Sequence, residues 1–139
     1  MDILVLIGRI LFSVIFLSSA VGHFTQTKQM AGYARSRGVP SPELATVASG
    51  VLLAVGGLMV LLGIWPDLGA LLLVLFLLPS AVLMHAFWKE SDAGSRQAEM
   101  LHFNKDISLA GAALALFALF AYAGSDLGLT LTGPLFSMN

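Results

Sequence analysis

The chain has 139 residues, 58% hydrophobic and only 11% charged, with a mean hydropathy of +0.90 and a formal net charge of -1. A core this small cannot hide such an apolar excess from water, so lipid is the solvent that fits, in a single domain. The near-neutral charge excludes an electrostatic grip on nucleic acid, and the absence of cysteine excludes disulfides, thiolate nucleophiles and Cys-ligated metal or iron–sulfur centres.

Residues 3–22 are apolar over about the 20 residues a helix needs to cross a bilayer, with Arg9 as the exception. A signal peptide would carry its charge ahead of the apolar run and a small-residue cleavage motif behind it. Here the run ends in Gly22-His23-Phe24, so a retained span is expected. Residues 23–43 form a polar connection bearing Lys28, Arg35 and Arg37. Within it, 25–37 suits a short interfacial helix with Met30, Tyr33 and Ala34 on one face.

Ser41 as N-cap and Pro42 at the first helical position start the second span, 44–64. Gly50, Ala54 and Gly57 line one stripe of it and permit close helix approach. Trp65-Pro66-Asp67 predicts a tight turn, with Asp67 capping the third span, 68–87; Pro79 predicts a kink or loosening over 75–79. The polar connection 88–100 mixes charge signs. The fourth span, 101–123, carries Gly111, Ala112, Ala113 and Ala115 as its close-packing stretch. The tail, 126–139, alternates leucine with glycine and threonine, too short to cross and suited to an extended segment over the bundle mouth.

These elements predict an all-α membrane protein, an antiparallel up-down bundle of four transmembrane helices. The runs are far too long for barrel strands. The first and third connections share one side and, with Lys105 just beyond the third, account for six basic residues, which predicts loops 23–43 and 88–100 in the cytoplasm and both termini outside. The small-residue faces also predict homo-oligomer contacts in the bilayer.

Three histidines fall at the loop-bearing ends of spans: His23, His85 and His102. They describe either a shared site or imidazoles at headgroup depth beside Phe24, Phe87, Trp88 and Phe103. Arg9, Ser13, Phe16, Ala20 and His23 recur at helical spacing and predict the buried face of the first span. An arginine within a span costs about 2.5–3.5 kcal/mol at mid-membrane, so Arg9 needs a partner. Either it snorkels to Asp67 or Asp126, or it binds an anionic or carbonyl-bearing ligand. Gln97 and Lys105 are donors suited to a carbonyl or quinone oxygen.

Glu99-x-x-His102 has half the pattern of a di-iron carboxylate site, with His85 and Asp106 as further weak candidates. The second motif is missing, so neither metal nor bis-histidine haem is expected. The sequence contains no phosphate loop, nucleophile–base set or dinucleotide fingerprint, hence no complete catalytic constellation.

Several stretches together resemble the DoxX family of small bacterial membrane proteins. They are Arg9 followed by Leu-Phe-Ser-Val-Ile-Phe-Leu-Ser-Ser-Ala, His85-Ala-Phe-Trp88, Gln97-Ala-Glu-Met-Leu-His-Phe-Asn-Lys105 leading into Ala110-Gly111, and the ending Gly-Leu-Thr-Leu-Thr-Gly-Pro-Leu-Phe. The resemblance implies a four-helix protein of the bacterial inner membrane, with His85, Trp88, Gln97, Lys105 and Arg9 as the positions of interest. It also implies a redox-associated subunit, since some relatives are described as membrane parts of sulfur-oxidising, quinone-reducing systems and others as partners in assemblies handling oxidative stress. With no cysteine, this chain cannot itself supply thiol chemistry.

Two functions follow. In one, a redox-associated subunit binds a quinone-like apolar ligand near the loop-side face, where His85 or His102 exchanges protons, and works with a soluble or membrane redox partner. In the other, a non-catalytic anchor docks a soluble partner through residues 84–106.

Overall fold

The computed structural model describes residues 1–138, so Asn139 of the expected tail lies outside the description. Five α-helices follow one another: α1 (Asp2–Thr25), α2 (Thr27–Ser36), α3 (Pro42–Leu62), α4 (Pro66–Met84) and α5 (Ala93–Ala123). Single 3-10 turns occupy Phe87–Lys89 and Gly124–Asp126, and no strand occurs among the described residues. Helices α1, α3, α4 and α5 are each long and apolar enough to cross a membrane. Their outward surface carries side chains such as Leu11, Val51, Leu75 and Leu101, which lipid solvates. The chain is an all-α, four-helix membrane protein.

The second polar connection is shorter than its composition suggests. The Asp92 carboxylate accepts the Ser95 N–H at 2.8 Å, capping α5 so that most of 88–100 is helical. That backbone donor holds the Asp92 carboxyl below the usual carboxylate range. Ser41 does precede α3, with Pro42 at its start, but in left-handed backbone (φ 46°) and with no capping bond from its hydroxyl. At α4 the cap position falls to Trp65, which frees Asp67 for another role.

Helix α1 packs along α3, α3 along α4, and α4 along α5, while α1 and α5 share no comparable interface. The core holds Phe16, Leu53, Val60, Leu73, Leu77 and Ala110. Buried residues of α1 are Arg9, Ser13, Phe16, Ala20 and His23, the face that the spacing predicts. Gly57 and Gly50 bring α3 against α1: a methyl at Gly57 would meet Leu17 at 3.0 Å, and one at Gly50 would meet Phe24 at 2.9 Å. Helix α5 corrects its expected packing stretch. Ala110 and Ala113 are buried, but Gly111, Ala112 and Ala115 face outward, and a methyl at Gly111 would meet nothing.

The terminus-bearing end is closed by Arg9. A helix leaves its last four carbonyls without intrahelical partners. In α3 these belong to Met59, Val60, Leu61 and Leu62. Met59 accepts from the Ile64 N–H and Leu62 from the Leu131 N–H. The two between are taken by Arg9, whose Nε donates to the Val60 carbonyl at 2.8 Å and Nη2 to Leu61 at 2.7 Å. Its Nη1 reaches the tail at the Leu129 carbonyl, 2.8 Å away. The cation thus sits at the negative end of the α3 dipole. Gly63, at φ +68°, leaves room for this: a Cβ there would lie 2.8 Å from Arg9 Nη2.

Asp67, fully buried, accepts from the Leu135 and Phe136 amides at 2.9 and 2.6 Å. Arg9 therefore pairs with neither Asp67 nor Asp126. Its partners are carbonyls of α3 and of the tail, which lies across the α3–α4 turn in irregular backbone. Arg9→Met should lower stability in detergent by about 3 kcal/mol or more, because it strands buried carbonyls that accept from a charged donor. Thermal unfolding checks this, and hydrogen exchange at Leu131, Leu135 and Phe136 should accelerate in the same variant.

Candidate functional site

At the loop-side end, α2 lies against α3 with Ala31 and Ala34 buried, leaving Tyr33 half-exposed at its edge. Tyr33 and Arg37 are four residues apart, one helical turn. The Tyr33 hydroxyl donates to Glu99 Oε1 at 2.6 Å, and Arg37 Nη2 reaches the same oxygen at 2.6 Å. Arg37 also donates to the Tyr33 hydroxyl at 2.9 Å, and its other terminal nitrogen pairs with Glu90. The second oxygen of Glu99 lies 2.8 Å from His85 Nδ1. One carboxylate on α5 thus gathers a phenol and a guanidinium from the α2 segment and an imidazole from the end of α4.

The electrostatics follow from that gathering. Burial works against the charge on Arg37, but its bonds to Tyr33 and Glu90 and the charge of Glu99 outweigh it and hold the pKa above the usual guanidinium value. Burial, then the hydrogen bond to Glu99, pushes the Tyr33 phenol up. His85 stacks on His102 with ring centroids 5.0 Å apart and planes at 26°. Its Nε2 lies 3.8 Å from Asp106, a carboxylate 3% exposed, whose other oxygen is 3.3 Å from Lys105 Nζ.

Below this network lies a cavity of about 750 Å³ that every helix borders. Leu52, Phe76, Pro79 and Leu83 supply apolar wall, and His23, Tyr33, His85, Lys105 and Asp106 supply polar groups. His23, Tyr33 and His85 come from the loop-side ends of α1, α2 and α4, and Asp106, midway along α5, stands at the level of His85, 3.8 Å from its Nε2. Leu75 and Phe76 lie eight or nine residues inside α4, about 12–14 Å deeper by helical rise. The cavity therefore has a polar rim and an apolar floor. Proline has no N–H for the carbonyl four residues back, so Pro79 leaves Leu75 without its usual helical donor, and both border the cavity.

The sequence-selected residues divide into four groups. His85, Lys105 and Asp106 meet at the rim, with Glu99 joining through His85. His23 lines the same cavity from α1, while His102 stacks on His85 and does not line it. Trp88 packs edge-on against Phe87 and Phe103, half-exposed, and Gln97 is exposed with no hydrogen-bond partner among the described residues. Arg9 lies about 21 Å from His23 along α1, at the opposite end. Among the described residues no group of three or more His, Asp or Glu side chains is disposed to hold a metal ion; Glu99 is spent on Tyr33, Arg37 and His85.

Comparison with known proteins places this architecture. The DoxX family model matches residues 4–86, more than half of the chain. The chain belongs to the DoxX family. It is also similar to the inner membrane protein YphA of Escherichia coli strain K12, 29% identical over 114 residues, which cover 82% of this chain and 81% of YphA. No solved structure matches it. This DoxX protein is accordingly a multi-pass protein of the inner membrane. The family match spans α1 to α4 and stops at residue 86, so Trp88, Gln97, Glu99 and Lys105 lie beyond the part that shows the family.

Sequence reasoning passed over Tyr33, Arg37 and Glu90 as members of the network. A signal was there: a phenol and a guanidinium four residues apart, on a segment that topology puts beside two histidines. Glu99→Gln should cost about 2 kcal/mol of stability by weakening a multiply bonded carboxylate, read as a lower Tm in detergent at neutral pH. A phenol whose folded pKa is raised stabilises fully below the unfolded tyrosine value of about 10 and loses that contribution as pH rises through the folded value. The stability gap between the parent and Tyr33→Phe should therefore hold up to about pH 10 and shrink above it.

Proposed function

We propose that this DoxX protein is a redox-associated membrane subunit whose cavity takes a quinone-like apolar ligand from the bilayer, head group at the loop-side rim. The observation that carries this reading is the 750 Å³ cavity with polar rim and apolar floor. Its size falls within the range of about 300–1,000 Å³ typical of small-molecule sites, and its lining has the usual mixture of apolar wall and few convergent polar groups. A solidly packed bundle would have argued the other way.

The rim residues divide the work. Lys105 offers an ammonium to a carbonyl oxygen, with Asp106 at 3.3 Å to orient it. His85 is positioned through Nδ1 by Glu99, which leaves Nε2, 3.8 Å from Asp106, as the atom that takes up or releases a proton. His102 supports that ring from one face and does not reach the ligand. Electrons would come from a partner, because the chain lacks cysteine and carries no redox group of its own side chains. The basic residues of both loops support a cytoplasmic face for this rim, where a soluble partner would meet it.

One feature favours the anchor reading: residues 91–98, at the start of α5, are all exposed. The two readings part in experiment. Purified protein should bind decylubiquinone, followed by fluorescence quenching, and Ser80→Trp, which fills the cavity from α4, should weaken binding at least about tenfold while leaving Tm near the parent value. No binding by the parent, or binding indifferent to Ser80→Trp, removes the ligand reading. Capture of a soluble protein by a photocrosslinker at Arg96, without quinone binding, would then favour the anchor.

A further inference from the structure

The second histidine of the cavity stands apart from the rim network, and its chemistry restricts what the cavity can hold. This inference rests on the cavity reading above. His23 comes from α1, is 8% exposed and borders the same space as His85. Two contacts fix its ring. Nδ1 lies 2.8 Å from the Ser19 carbonyl oxygen one turn earlier. Phe76 of α4 meets the ring edge-on, centroids 6.1 Å apart and planes at 79°. Gly50 of α3 leaves bare the space beside it: a methyl there would stand 3.0 Å from His23 Cβ.

A carbonyl oxygen has no proton to give, so Nδ1 must carry the hydrogen. In the neutral ring Nε2 is then an acceptor and nothing else. Among the described residues no donor bonds to it. Lys105, a donor on the same cavity, is paired with Asp106. A nine-tenths-buried imidazole on the wall of a cavity of ligand size, locked in one tautomer, therefore has an acceptor nitrogen that no protein donor satisfies among the described residues.

We propose that His23 Nε2 accepts a hydrogen bond from a hydroxyl of the cavity's ligand. The site then selects amphipathic molecules bearing an O–H over those that end in a carbonyl or ether oxygen. An oxygen with only lone pairs, set against Nε2, would leave two acceptors facing each other out of water, which buried sites discriminate against strongly. For a molecule with carbonyl and hydroxyl forms, the His23 position holds the hydroxyl form.

The test uses two probes that differ by one O–H, 4-nonylphenol and its methyl ether 4-nonylanisole. Binding is measured calorimetrically to the full chain in nanodiscs, against empty nanodiscs. The parent protein should hold the phenol about tenfold more tightly than the ether, the value of one well-made hydrogen bond. His23→Phe should keep ether binding and lose that preference; His23→Gln, which restores an acceptor oxygen, should recover part of it. Ether binding reports that each variant still forms the cavity, and the parent comparison needs no variant at all. Equal affinity of the parent for both probes, or a preference that survives His23→Phe, overturns this proposal and leaves the cavity reading standing. Failure of the parent to bind either probe overturns both.

Discussion

In lipid an unpaired carbonyl has no water to turn to, and the end of α3 is where this chain meets that constraint most sharply. Two of its last four carbonyls are bonded to one arginine from another helix and a third to an amide of the tail. The arrangement explains the charge within α1, the glycine at position 63, and the inward turn of Asp67, which takes up the tail amides that follow. What looks like a costly residue in a hydrophobic run satisfies backbone groups that would cost more left bare. The other end is then free to be polar and hollow.

That division of labour organises the molecule. The terminus-bearing end has its polar groups bonded to each other through backbone. At the loop-bearing end, side chains of α2, α4 and α5 meet at Glu99, and the apolar space begins beneath them. Backbone carbonyls are satisfied by Arg9 at one end, and groups capable of proton exchange gather at the other, about 21 Å away along α1.

The four spans were legible because bilayer thickness sets a length that composition cannot disguise. The buried face of α1 was legible because Arg9, Ser13, Phe16, Ala20 and His23 repeat at helical spacing on an otherwise uniform helix. Helix α5 gave no such handle. Over residues 107–123 it is apolar or small on every side, so periodicity does not say whether Ala113 or Gly111 meets α4. The partners of Arg9 were hidden for a different reason. They are main-chain oxygens, which every residue has and no sequence marks. The Tyr33–Arg37–Glu99 cluster joins residues 66 positions apart at its widest, and depends on where a ten-residue interfacial helix docks, which local pattern does not encode.

The serial packing of the spans has one more consequence. Because α1 and α5 do not press against each other, the loop-side cavity is bordered by both without being sealed by their contact. A water-insoluble guest would arrive sideways, within the leaflet where it already dissolves. It would leave one apolar solvent for another, so the floor of the cavity would contribute little to affinity. Recognition would fall almost wholly on the few polar atoms of the rim, and a single misplaced proton there would count for more than several methylenes below.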